Sequence, residues 1–208
     1  MQISSIQSNP YITATTSSTT NKSESNYSKL SIDEMQKIPF DEFKNNLEEI
    51  ETRYQTIQEE EWANMTDKKV DIIRSLSVLN DKINLASNFV TDNKTFNKAT
   101  FEAINNIQPD KQCCFLDEVL HNMADYAGGK NIQASFMVGD NIHVTEALTK
   151  QQRNNINFDD FISKMLSNFG NDVATSGGSV KQQYQGIVDG YSLLKQNYDL
   201  QKSEPIYA

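Results

Sequence analysis

The chain has 208 residues, 37% hydrophobic and 23% charged, with 28 acidic against 19 basic side chains and a net charge of −9. That balance repels phosphate backbones and anionic lipid, so no nucleic-acid partner and no anionic membrane surface is expected. The adjacent Cys113 and Cys114 are the only cysteines, which excludes a disulfide framework, and no apolar run approaches the about 20 residues of a transmembrane segment.

Residues 1–29 form the first compositional block. Thr13-Ala14-Thr15-Thr16-Ser17-Ser18-Thr19-Thr20 is almost entirely hydroxyl residues. Such a stretch buries too little apolar surface to offset its ordering entropy, which predicts a disordered Ser/Thr-rich tail. An inert tail and a leaderless export signal both fit the composition. Met1-Gln2-Ile3-Ser4-Ser5 lacks the basic start and apolar middle of a cleaved secretory signal. The expected location is therefore cytoplasmic, or secreted without a cleaved signal peptide.

Ser31-Ile32-Asp33-Glu34 has the spacing of a capping box and predicts a helix start. Pro39 interrupts that helix, and a longer one is expected from about Phe40 to Trp62. Its apolar positions Phe43, Leu47, Ile50, Tyr54 and Ile57 form a narrow seam of coiled-coil type. Thr66 or Asp67 caps the next helix, about 67–91, which carries Ile72, Leu76, Leu79, Ile83 and Val90 on one side, widened by Val70, Ile73 and Leu85. The two make an antiparallel hairpin over 31–91, joined near Asn64.

A short helix over 95–107 follows, with Phe96, Ala103, Ile104 and Ile107. Pro109 suits the first position of a fourth helix that ends at Gly128-Gly129. Between 131 and 145, Ile132, Ala134, Phe136 and Val138 alternate before Gly139-Asp140-Asn141, and Ile142 and Val144 alternate after it. This predicts a small β-hairpin, or else a loop, since two strands alone are marginal. Asn157 caps a helix closed by Gly170, and a last helix runs over about 179–201 with Tyr184, Tyr191 and Tyr198 on one stripe. Those tyrosines either pack into the core or present their hydroxyls to a partner. The expected fold is mainly α, a helical bundle of about five to seven helices. It forms a single domain over 30–204, the helical hairpin plus a helical body over 95–204.

The fourth helix carries the residues that come nearest to a chemical site. Cys114, Asp117, His121 and Asp125 share one face and are all metal-ligand types, but that face lies opposite the apolar one, where charged groups belong anyway. His143 has no sequence partner in Cys114 or Ser135. Gly128-Gly129-Lys130-Asn131 lacks the spacing and following hydroxyl of a phosphate loop. Asn155-Ile156-Asn157-Phe158-Asp159-Asp160 resembles the second half of a calcium loop, yet counting back puts Thr149, Gln151 and Arg153 at the first ligand positions, and an arginine there repels a cation. No catalytic residue and no cofactor is expected.

Several stretches carry a resemblance: the tail from Ile3 to Asn26; Ile38-Pro39-Phe40-Asp41-Glu42-Phe43; Phe158-Asp159-Asp160-Phe161-Ile162-Ser163-Lys164-Met165; and Gln183-Tyr184-Gln185-Gly186-Ile187-Val188-Asp189-Gly190-Tyr191. Together they resemble uncharacterised small proteins of campylobacter-type bacteria that are co-expressed with flagella or exported by the flagellar apparatus. The resemblance covers about a third of the chain. It implies a secreted or flagella-associated virulence or colonisation factor whose partners are the flagellar or type III export machinery or a chaperone. It transfers no site residue, because the matching stretches are helix faces. The expected function is a non-enzymatic protein-interaction protein. The alternatives are a metal- or calcium-binding regulatory protein and a small metal-dependent enzyme.

Overall fold

The computed structural model describes residues 27–63, 70–127, 136–138, 141–143 and 148–203. The Ile3–Asn26 tail, the turn near Asn64, the caps at Thr66 or Asp67, Gly128-Gly129 and most of the connecting parts of 131–145 lie outside the described residues. The described chain is mostly helical, with nine helices in chain order. They are α1 (Ile32–Gln36), α2 (Phe40–Asn45), α3 (Leu47–Ala63), α4 (Val70–Ala86), α5 (Lys94–Asn106), α6 (Pro109–Tyr126), α7 (Lys150–Asn154), α8 (Phe158–Thr175) and α9 (Gly178–Ser203). Between α6 and α7, β1 (Phe136–Val138) and β2 (Asn141–His143) pair antiparallel, with Phe136 opposite His143 and Val138 opposite Asn141.

Local chemistry sets the helix ends. The Ser31 hydroxyl accepts from the Glu34 N–H at 3.3 Å, and the Glu34 carboxylate accepts from the Ser31 N–H at 2.8 Å, the reciprocal pair that the spacing predicts. The long helix expected over 40–62 breaks at Asn46, whose side-chain amide donates to the Glu42 carbonyl at 2.8 Å and so competes with the helical ladder. The helix expected to reach residue 91 stops at Ala86. There Asn88 takes φ 58°, the Asn88 N–H donates to the Leu85 carbonyl at 3.3 Å, and the Phe89 N–H donates to Asn84 at 2.9 Å. These two bonds form a Schellman closure with asparagine in the left-handed position. Conversely, α8 runs through Gly170 to Thr175, because nothing in the surroundings turns the chain there.

Three further expectations need correction. Nine helices replace five to seven, because α2 and α3 separate and because α7, capped by a second box between Thr149 and Gln152, was not anticipated. Chain packed on the core reaches at least as far back as Tyr27, ahead of residue 30: Tyr27 packs on the core and its hydroxyl donates to Glu42 at 3.1 Å. Ile73 lies 49% exposed rather than on the packed side of α4.

At the centre lies α5, whose Phe96, Ala99, Phe101, Ala103 and Ile104 are all fully buried, as are its polar Asn97 and Thr100. A helix apolar on one stripe only would leave a wet face; α5 has none over this stretch, because α2, α4, α6 and α9 all touch it. Asn97 is satisfied inside the core: its amide donates to the Thr91 carbonyl at 2.9 Å, and its oxygen accepts from the Thr91 hydroxyl at 2.8 Å. Aromatic rings fill the remaining space. Phe40 and Phe43 stand edge-on to Phe101 at 5.2 and 5.1 Å, and Phe96 stacks on Phe158 at 4.1 Å. Helix α9 crosses α6 closely enough that a Cβ at Gly190 would meet Phe115 Cε2 at 2.6 Å, so only glycine fits that crossing.

Candidate functional site

The polar face of α6 forms a line rather than a cluster. Cys114 is exposed, and His121 Nε2 lies 3.7 Å from Asp125 Oδ2, both side chains open to solvent. Leu116, Val119 and Met123 bury the other face, as the periodicity predicts. Among the described residues no three His, Cys, Asp or Glu side chains converge to hold a metal. The physical reason is spacing: residues three or four apart on one helix sit a full turn from each other, so convergence needs donors from a second element. Asp117 faces Asp81 of α4, a second carboxylate, whose pKa burial and then the Asp117 charge raise. The side chain of His143 and all of Ser135 lie outside the described residues.

The calcium-loop stretch is divided between α7, a three-residue link at 155–157 and the start of α8. Thr149 caps α7, Gln151 lies within it, and the Arg153 guanidinium donates to the carbonyls of Val90 and Leu148, both at 2.5 Å, and of Phe89 at 3.4 Å. Arg153 thus ties α7 to the segment after α4, and Thr149, Gln151 and Arg153 do not surround a cation position.

The three tyrosines of α9 divide between core and surface. Tyr191 is fully buried among Phe115, Phe161 and Phe169, and its hydroxyl accepts from Asn122 Nδ2 at 3.0 Å. Burial pushes that hydroxyl far above the usual phenol range, only partly opposed by the Asn122 bond. Tyr198 is 6% exposed, edge-on to Phe96 at 6.4 Å with Lys202 Nζ over its ring. The stripe therefore packs, and of the three only Tyr184, half-buried beside Phe169 at 6.2 Å, keeps a face toward solvent.

Two features escaped the sequence reading. The first is Lys82, 1% exposed at the base of a cleft of about 570 Å³ between α1, α4, α5 and α6. Its ammonium donates to the Gln36 carbonyl and to Asn105 Oδ1 and sits 4.8 Å over the Phe101 ring. Burial lowers its pKa to about 8, with Glu102 opposing that shift. Two acceptors and a ring face occupy its donors, so Lys82 fastens three helices and leaves no spare valence for a ligand.

The second is the distal end of the α8–α9 pair. Buried residues of α8 stop at Met165 and those of α9 begin at Gly190, so no residue from 166 to 189 is buried. Leu166, Phe169 and Ile187 still pack against the core from the base of this stretch, so at about 1.5 Å per residue the part that stands clear of it, 170–175 of α8 and 178–185 of α9, reaches about 10 Å as an arm. Gly178, at φ +59°, makes the turn at its tip, and Val180 is 47% exposed next to it. No protein-family model matches the chain, and neither a curated protein nor a solved structure matches it. Among the described residues no helix is long and apolar enough to cross a membrane.

Proposed function

We propose that the protein acts without catalysis, by contact with another protein, and that the α8–α9 arm is the contacting element. The observation that carries this reading is the run from 166 to 189, in which neither helix has a buried residue and whose outer part, from 170 to 185, stands clear of the core. Leu166, Phe169 and Ile187 are half-buried against the core, Val173 and Tyr184 are half-buried beyond them, and Phe169 meets Tyr184 across the pair. Ordering an exposed helical pair costs conformational entropy that its own packing only partly offsets, so an added surface would stabilise it.

The setting we favour is export without a cleaved signal, in which the Ser/Thr-rich N-terminal residues engage a flagellar or type III export system while the helical body meets its target or a chaperone. Composition and the flagellar resemblance support this part. Two experiments separate the claims. Full-length protein, Val180→Asp and Ile73→Asp are compared as baits; a partner retained by the first and third but lost with the second supports the arm, and retention by all three overturns it. Secretion is then followed with residues 2–25 deleted, where unchanged export sinks the export reading and leaves the arm standing.

A further inference from the structure

A second cavity, of about 220 Å³, lies in the seam between α4 and α6 and is reached by Arg153 and Leu148 from beside α7. Asn80, Asp81 and Asn84 line it from α4, and Leu116, Asp117 and Leu120 from α6. Asp81 is 9% exposed and, among the described residues, makes no hydrogen bond or ion pair. That is unusual chemistry for an interior, since buried carboxylates are ordinarily paired or hydrogen-bonded. The group acting on it most strongly is a second carboxylate, Asp117, and the Tyr54 phenol faces it from α3. Arg153 lines the same cavity and keeps its charge, but its N–H groups go to the carbonyls of Phe89, Val90 and Leu148, and among the described residues it makes no hydrogen bond or ion pair with either acid.

Two acids that repel each other across a small, half-apolar chamber call for a positive guest. We propose that this cavity binds the ammonium head of a short aliphatic amine, with Asp81 and Asp117 accepting two of its N–H bonds and the Asn84 amide oxygen the third. An ammonium has three donors and no acceptor, which matches a wall of oxygens. Its alkyl stem lies against Leu116 and Leu120, as lysine stems lie along apolar surface. A divalent ion fits less well, since hard cations take about six or more oxygens and no third acidic, cysteine or histidine side chain joins these two among the described residues. The chamber is smaller than the about 300–1,000 Å³ of drug-sized pockets, which limits the guest to a few carbons.

The test is a calorimetric titration of full-length protein at pH 8 with n-butylammonium chloride. n-Butanol serves as the uncharged control, tetramethylammonium as the cation without N–H, and calcium chloride as the divalent. The expected result is saturable one-to-one binding of butylammonium with Kd of about 1 mM or tighter. Butanol and tetramethylammonium should bind roughly tenfold or more weakly, and Asp81→Asn and Asp117→Asn should each lose a similar factor while keeping the helical circular dichroism. Asp117 is exposed on its outer side, so its amide variant tests the site even where the Asp81 variant folds poorly. A lysine side chain carries the same head, and Nα-acetyl-lysine amide run beside butylammonium tells by the tighter Kd whether the natural guest is a free amine or a presented lysine. Absence of saturation, equal binding by Asp81→Asn and wild type, or stoichiometric calcium in place of the amine would overturn the proposal.

Discussion

Asp81 and Lys82 are consecutive on α4 and both withdrawn from water, yet one side of the helix satisfies its charge and the other does not. Toward α1 and α5, Lys82 finds a carbonyl, an amide oxygen and an aromatic face. Toward α6, Asp81 finds a like charge and, among the described residues, no donor. A buried charge that is fully hydrogen-bonded belongs to the architecture, whereas one left facing its own kind marks a place where the fold has kept strain. The contrast predicts that removing the two neighbouring charges will move stability in opposite directions.

Lys82→Ala carries the largest expected effect. It opens a cavity beside Phe101 and strips partners from the Gln36 carbonyl and Asn105, a loss of about 3 kcal/mol by denaturant unfolding. A variant as stable as wild type would mean that water entering the cleft replaces the ammonium, and the architectural reading of Lys82 would fail. Asp81→Asn should do the reverse. A carboxyl held near pKa 7 in the fold against 3.8 outside it costs on the order of 4 kcal/mol once ionised. The amide that replaces it is still a buried polar group, so the gain at pH 8 should be about 2 kcal/mol.

The pH profile sharpens the comparison further. Because the Asp81 pKa is raised, the folded state holds its proton after the unfolded chain has lost it, so this group makes stability fall as pH rises from about 4 to 7 and contributes no further change above. The Lys82 pKa is lowered to about 8, so between there and 10.5 the unfolded chain binds the extra proton and stability rises with pH. Thermal melts of wild type minus Asp81→Asn should show the first slope, and wild type minus Lys82→Met the second. Parallel curves in either subtraction would show that the corresponding group titrates as it does in water.

Much of this architecture is legible in the residues. The S-x-x-E box at Ser31, the cap at Asn157, the proline opening α6 and the seam of Phe43, Ile50 and Ile57 all appear where the pattern puts them. The helix breaks were harder: Asn46 is the second of an Asn45-Asn46 pair whose side chain competes with the backbone, Asn88 closes α4 through its left-handed backbone, and nothing in the apolar periodicity around either changes. The candidate site was half legible. Asp81 sits three residues after Val78 and four before Leu85, while Lys82 sits three after Leu79 and four before Ala86, so both charges fall inside the apolar stripe of α4 at helical spacing. That intrusion was the available signal, and reading α4 only for its apolar positions passed over it. Which intruder would find partners depends on what α1, α5 and α6 bring across, and a one-dimensional pattern does not contain that. The same limit explains the tyrosine stripe: its spacing was right, but only the packed α6 and α8 decide that Tyr191 points inward.

The smallest effect falls on the other member of the acidic pair. Asp117 is exposed on its outer side, and burial against the seam raises its own pKa. Replacing it with asparagine removes the like charge that faces Asp81 but leaves the enclosure of Asp81 unchanged. Burial is the larger of the two causes holding Asp81 high, so the Asp81 midpoint should move down in Asp117→Asn and yet remain above the ordinary carboxylate range. Carboxyl chemical shifts followed through a pH titration read this directly. A midpoint that returns fully to the range of a solvated carboxylate would mean that repulsion, not enclosure, sets the Asp81 proton, and the seam would then be wetter than its packing implies. A midpoint that does not move at all would mean the two acids do not share a chamber, which removes the second acceptor from the proposed ammonium site as well.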